Sequence, residues 1–377
     1  MDPKLVEYLI WFKENEKGMK PGNDLASSAL HTSENAIVSL LVSQQLVDRL
    51  LHDPWWHPAL LKHIKQQYNL SEGKELIITN GASGAIWLVF QALVSPSDHV
   101  IIESPVYQPL LSVPRFLKAD ISLLERRPEE NFEINKARLE SLLRPNTKLI
   151  VLTNLHNPSG HPLGDGVLDW LKGIVKQHGG NIKVMIDETF RDLIPTERVA
   201  AANLDESFIS INTLSKAYGL ATLRCGWIVS SGEIYPRIRD TYVLVENAGS
   251  PLTESIASLV IEHLDSHQKR ALKTCAKNQR IIREFMKPLL AEKRILGRIP
   301  TYGCLYFPRI ANMGDTEEFT RELRDSWDVY VAPGRFFGAP EHIRIGFGGD
   351  AEHLPGKLER LAGAIRAVTT PMSGPRE

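Results

Sequence analysis

Between residues 57 and 230 short apolar runs alternate with helical ones, and most of the apolar runs end in a small polar or glycine-rich cluster. No other feature constrains the fold as much. The runs at 75–79, 99–103, 147–153, 183–187, 207–214 and 225–230 are rich in Ile, Val and Leu and too short for helices, so they read as strands. Segments 58–68, 85–93 and 166–178 read as helices. Strands separated by helices pair in parallel through right-handed crossovers and carry helices on both faces. The expectation is an α/β fold built on a mostly parallel sheet. Ligands of such sheets bind beyond the carboxyl ends of the strands. The clusters Gly81-Ala82-Ser83, Asn157-Pro158-Ser159-Gly160, Asp187 and Ser215-Lys216 all fall at such ends.

Past residue 245 the pattern changes. A helical stretch, 252–290, leads to short strands at 302–307, 329–332 and 342–347, set among helices at 316–327 and 354–368. This reads as a smaller α/β domain. The chain of 377 residues thus divides into an arm (1–40) packing on the small domain and a dimer partner, a large domain (41–250) and a small C-terminal domain (251–377). Leu5, Tyr8, Leu9 and Phe12 share one helical face of the arm.

Charge and cysteine usage exclude several function classes. Lys+Arg (44) balances Asp+Glu (45), and the leading forty residues hold no basic cluster, which argues against nucleic acid or an anionic membrane as partner. The apolar run 85–94 is too short to span a bilayer. Asp2, Lys4 and Glu7 argue against a signal peptide. Cys225, Cys275 and Cys304 show neither C-x-x-C nor zinc-like spacing, so they read as reduced thiols of a cytoplasmic protein without a bound metal. The tail 369–377, rich in Pro, Gly and Ser, is expected to fray.

Alone, Lys216 is a lysine after a strand, and lysines are mostly solvated. Its company changes the reading. Arg224 follows eight residues later, Asp187 closes another strand, and Asn157 and Gly81–Ser83 follow two more. A pyridoxal 5′-phosphate (PLP) site needs such a set. It takes a lysine to bond the aldehyde and move the Cα proton, a carboxylate to keep the pyridine nitrogen protonated, and a helix start plus a cation for the phosphate. It also takes a donor to the phenolic oxygen and an aromatic face on the ring.

Seven ordered segments carry a resemblance: TNGASGA (79–85), SPVY (104–107), HNPSG (156–160), DETF (187–190), SKAYGLATLRCGW (215–227), APGRFFG (332–338) and HIRIGFG (342–348). Together they resemble the class I/II aminotransferases, the fold-type I PLP-dependent enzymes. The resemblance implies PLP as cofactor and Lys216 as the Schiff-base lysine and proton carrier. It implies Asp187 on the pyridine nitrogen, Asn157 on the phenolic oxygen and Tyr107 stacked on the ring. Ala82, Ser83, Thr213 and Arg224 would form the phosphate cup, and Arg344 would clamp the substrate α-carboxylate. A core tyrosine and a surface arginine are the bland alternatives for Tyr107 and Arg344. The family also implies a homodimer with active sites at the interface, for which Trp55, Trp56 and the amphipathic N-terminus are available material.

Two positions depart from the pattern. Phe190 stands where family members usually place a tyrosine whose hydroxyl meets the cofactor. Leu51 and Trp56, with His52 between them, stand where a tyrosine usually reaches the partner's phosphate. The segment around Asp24, Ser28 and His31, and the stretch VAPGRFFGAPEHIRIGF, are similar to the capreomycidine synthase-like branch. That likeness implies elimination and cyclisation of a hydroxylated, arginine-like amino acid, with Asp24, Ser28 and His31 on the substrate side. An arm that serves only assembly is the bland alternative. Ordinary transamination, arginine oxidation and a non-catalytic scaffold are the competing readings.

Overall fold

An apolar run without polar alternation has to be covered on both faces, and the central strands are. The computed structural model describes residues 3–30, 43–52, 58–196 and 198–370, apart from the side chains of Pro3, Lys4, Arg49 and His52. His31, Trp55, Trp56 and the tail beyond residue 370 lie outside the described residues. Strands β1 (Glu75–Asn80), β2 (His99–Ser104), β3 (Asp120–Glu125), β4 (Thr147–Thr153), β5 (Lys183–Asp187), β6 (Phe208–Thr213) and β7 (Cys225–Ser230) form one sheet. Its order is β1-β7-β6-β5-β4-β2-β3. Helices α1 (Glu7–Glu16), α2 (Gln44–His52), α3 (Pro58–Gln67), α4 (Gly81–Leu93), α5 (Gln108–Phe116), α6 (Lys136–Leu142), α7 (Val167–Gln177) and α8 (Ile234–Glu246) belong to the same half of the chain.

Side chains alternate across the sheet, as the pleat requires. Val100, Ile102, Leu149 and Val151 pack with Ala85, Val89 and Leu110 and with Ile238 of α8. Their neighbours Ile101, Ile150 and Leu152 pack on the opposite face with Leu139, Val167 and Leu171. Two apolar layers thus sandwich the sheet.

The pairing is parallel except at β7, which runs antiparallel to both β6 and β1. The physical reason lies in residues 214–224. They hold only a short 3-10 turn, Ala221–Leu223, and no crossover helix, so the chain must reverse. The reversal has a consequence for the site. β7 begins at the edge where β1, β4, β5 and β6 end, with Cys225 opposite Asn80 and Gly226 opposite Thr213. Arg224 is thereby delivered to the carboxyl edge from the other direction.

The rest of the chain forms α9 (Pro251–Ile261), α10 (Leu264–Ala291), strands β8 (Ile295–Leu296), β9 (Leu305–Tyr306), β10 (Arg309–Ile310), β11 (Ala332–Pro333) and β12 (Ile343–Gly346), and helices α11 (Glu317–Trp327) and α12 (Leu354–Val368). The single helical stretch expected at 252–290 is two helices, because His263 leaves helical geometry (φ −112°, ψ 23°). The strands expected at 302–307, 329–332 and 342–347 shrink to pairs or quartets of residues in small sheets, order β10-β8 and β11-β12-β9. β3, α5, α6 and α8 escape the pattern reading altogether.

Residues 23–30 form a strap. Leu25 N–H donates to Tyr330 O (2.9 Å), Gly346 N–H to Leu25 O (2.7 Å) and Leu30 N–H to Lys216 O (3.1 Å). The strap crosses β12 so closely that a Cβ on Gly346 would stand 1.8 Å from Ser27 O. Among the described residues no helix is long and apolar enough to cross a membrane.

Candidate active site

The carboxyl edge of the sheet opens into a cavity of about 230 Å³. Ala82, Ser83, Tyr107, Asn157, Asp187, Phe190, Thr213, Lys216, Arg224 and Ser28 all line it. So do Ser215 and Thr189, and Tyr8, Leu9, Phe12 and Lys13 of the N-terminal helix α1. A larger cavity, about 480 Å³, lies against the outer side of Arg224 with Glu246 and Glu254 in its wall. It contains no lysine, so the nucleophile and proton carrier belong to the smaller one.

Lys216 sits in the loop after β6. Burial, then the charges of Arg344 and Arg224, lower its pKa from 10.5 to about 8. About a tenth is therefore a free amine at pH 7, far more than for an ordinary lysine; this is the form that can bond a carbonyl and accept a proton. Cys304 lies near the lysine; burial pushes its thiol up to about 12, and its Sγ donates to Ser28 O (3.7 Å).

Asp187 ends β5 with 7 % exposure. Thr189 N–H donates to its Oδ1 (3.0 Å). Burial raises its pKa, opposed by Thr189 and by the charge of Lys216. A buried carboxylate in this condition calls for a cationic partner.

Asn157 is set by the turn after β4. His156 Nε2 faces Pro105 O (2.8 Å); a carbonyl can only accept, so this nitrogen carries the hydrogen and Nδ1 accepts from Ser159 (2.7 Å). With the turn so fixed, Asn157 Oδ1 accepts from Arg344 Nη1 (3.1 Å), which leaves its amide N–H₂ to serve the cavity.

The start of α4 has no side-chain cap, since Asn80 makes no capping bond. The first-turn N–H groups at Ala82 and Ser83 remain available, which makes a natural anion site. Arg224 overhangs it: a Cβ on Gly81 would stand 2.5 Å from Arg224 Nη2. The guanidinium makes only long contacts, to Ser215 Oγ (3.5 Å), Ala221 O (3.3 Å) and Asn80 O (3.4 Å). It has no carboxylate partner among the described residues. Thr213 lines the cavity with Arg224. Its Oγ1 lies 2.7 Å from Cys225 O, which takes its hydrogen, and 3.0 Å from Ser215 Oγ. The neighbouring Ser215, which the motif reading left out of the cup, presents the hydroxyl nearer Arg224.

Arg344 is fully buried and does not itself line the cavity. It stands one layer behind, held by Asn157 Oδ1, Tyr8 Oη (2.7 Å) and Ala26 O (2.9 Å). Asp24 is a correction to the sequence reading. Its carboxylate closes the strap's own turn, accepting from Ala26 N (2.8 Å) and Ser27 N (2.9 Å), and it does not line the cavity. Leu51 is 69 % exposed. Tyr8, Leu9, Phe12, Lys13, Thr189, Ser215 and Ala221 are the lining residues that the motifs did not mark as site residues. Tyr8, Leu9 and Phe12 had a signal, the apolar face of the first helix.

The donor set fits PLP. An uncapped helix start, an arginine without a carboxylate and the Ser215 hydroxyl suit a phosphate ester. Asp187 suits a protonated ring nitrogen, the free amide of Asn157 a phenolic oxygen, and the Tyr107 and Phe190 rings a flat heterocycle.

Known proteins share the sequence pattern and the fold. The sequence model of the family described as aminotransferase class I and II matches residues 47–365. Capreomycidine synthase of Streptomyces vinaceus is 32% identical over 281 residues, 73% of this chain and 70% of that protein. The crystal structure of the PLP-dependent cyclase OrfR superposes with TM-score 0.84 at 25% identity over 98% of each chain. The aspartate aminotransferase of Thermus thermophilus with maleate superposes with TM-score 0.83 at 19% identity over 96% of each.

Proposed function

Because this chain belongs to the class I and II aminotransferase family, and is therefore a PLP-dependent enzyme, we propose that it eliminates a hydroxyl from a hydroxylated, arginine-like amino acid in the cytoplasm and closes a ring. The observation that carries this reading is Phe190. Its ring, 4 % exposed, stands in the cavity wall where the family pattern has a hydroxyl for the cofactor. The likeness to capreomycidine synthase and to a PLP-dependent cyclase supports it.

When bound, PLP supplies an electron sink that makes the substrate Cα proton acidic. The chain's own groups do the rest. Ala82, Ser83, Ser215 and Arg224 would hold the phosphate. Asp187 would keep the ring nitrogen protonated, and Asn157 would donate to the phenolic oxygen. The positive charge of Arg344 behind the wall draws the α-carboxylate. Lys216 takes the proton from Cα. The hydroxyl on the neighbouring carbon then departs, a guanidino nitrogen bonds to that carbon, and the nitrogen's proton leaves with the hydroxyl as water. The proton held at Lys216 returns to Cα. The net change is loss of one water with no oxidant, reductant or amino acceptor.

The test is to incubate the holoenzyme with arginine hydroxylated on the carbon next to Cα and to weigh the product. The expected product retains the amino group and is lighter by one water. A 2-oxo acid would favour transamination, and oxygen uptake would favour oxidation.

A further inference from the structure

The guanidinium of Arg344 has five N–H donors, and three of them are accounted for. Nη2 donates to Tyr8 Oη (2.7 Å) and to Ala26 O (2.9 Å), and Nη1 donates to Asn157 Oδ1 (3.1 Å). Nε is buried without an acceptor among the described residues. Both hydrogens of Nη2 are therefore taken. A guanidinium offers a carboxylate two forks, Nη1 with Nη2 or Nε with Nη2. Each needs an Nη2 hydrogen, so as the side chain stands neither fork is open.

What the cavity meets in front of Arg344 is Tyr8 and Asn157. The Tyr8 oxygen accepts from Arg344, and its own hydrogen has no acceptor among the described residues. The ring is 5 % exposed and held on several sides. It meets Tyr107 edge-on at 6.0 Å and packs on Phe336 and Phe337 at 5.6 and 5.5 Å. Its backbone N–H donates to Gln108 Oε1 (2.9 Å). A hydroxyl that accepts from a cation is polarised into a stronger donor.

We propose that Tyr8 is a substrate-contacting specificity residue whose hydroxyl, backed by Arg344, donates to the α-carboxylate of the amino-acid substrate. The proposal rests on the reading of Arg344 as the carboxylate's cationic partner. It gives α1 a direct share in recognition, because the helix carries the donor that separates amino acids from amines lacking the carboxylate.

The test uses the PLP-loaded enzyme and two probes with the same guanidino side chain, L-arginine with the carboxylate and agmatine without it. Binding is followed by titrating the absorbance of the bound cofactor. Tyr8→Phe keeps the ring and its packing and removes only the hydroxyl. L-arginine binding is expected to weaken about tenfold or more, the effect of one hydrogen bond to a charged group, while agmatine binding stays near that of the parent enzyme. Equal weakening of both probes would reduce Tyr8 to a packing residue and overturn the proposal. Unchanged or tighter L-arginine binding would also overturn it, since the carboxylate would then displace the hydroxyl. Arg344→Gln separates the two levels. If L-arginine binds that variant as well as the parent, the clamp reading of Arg344 falls and takes this proposal with it. If Arg344→Gln destroys binding and Tyr8→Phe does not, Tyr8 alone is refuted.

Discussion

Lys216 holds its proton weakly because burial and two guanidinium groups oppose the charge. The same fact predicts how the cofactor-free protein responds to pH. Unfolded, the lysine returns to 10.5; folded, it titrates at about 8. Between these values the unfolded chain binds more protons, so this group's contribution makes stability rise with pH across that window. Below the lower value the full penalty stands, at most about 3 kcal/mol for a shift of this size. Cofactor-free Lys216→Met is therefore expected to be more stable than the cofactor-free parent near neutral pH, with the gap closing toward the top of the window. Denaturant titrations at both ends of the window check this; a gap independent of pH would contradict it. The residues that could be picked from sequence, Lys216, Asp187, Asn157 and Arg224, lie in short motifs at strand ends, where local order alone exposes them. Tyr8 could not be picked as a partner of Arg344. The two are 336 residues apart in sequence and meet only because the strap and α1 fold back over β12.

At the scale of elements, the phosphate cup depends on β7 lying tight against the start of α4. A Cβ on Gly226 would stand 2.6 Å from the Gly81 carbonyl carbon and 2.9 Å from Asn212 O. All of these are backbone atoms, which cannot rotate aside. Gly226→Ala is expected to destabilise the protein by about 1–3 kcal/mol, the range for overpacking, and to weaken PLP binding as Arg224 moves with its strand. Thermal denaturation and a cofactor titration measure the two effects. Loss of stability with unchanged cofactor affinity would show that the cup does not depend on this contact. Two of the elements that pattern reading missed have physical causes of their own. β3 is an edge strand with alternating exposure, and its sequence DISLLE mixes charge with apolar residues. α5 holds Pro109 in its first turn and Pro114 inside, which mask a helix. The central strands were legible because burial on both faces leaves an unbroken apolar run. The reversal at β7 was not, since nothing in its own sequence sets the direction in which it pairs.

For the whole molecule, Leu244 is 86 % exposed beside Val243, Val245 and Leu252, which are 44–55 % exposed. A run of large apolar side chains in solvent marks an interaction surface. We propose a homodimer as the assembly and this patch, next in sequence to Glu246 and Thr253 of the outer cavity wall, as its seat. Leu244→Glu should shift sedimentation toward the monomer and lower activity, while a fully active monomeric parent would contradict the expectation. On the proposed reaction, the electron pair left at Cα by proton removal expels a side-chain hydroxyl. The most direct measurement is the number of turnovers per bound cofactor with hydroxylated arginine in the absence of any 2-oxo acid. Elimination with ring closure predicts many turnovers, a product lighter than the substrate by one water, and a cofactor still in its aldehyde-derived form. A single turnover, with the cofactor converted to its amine form, would contradict the account.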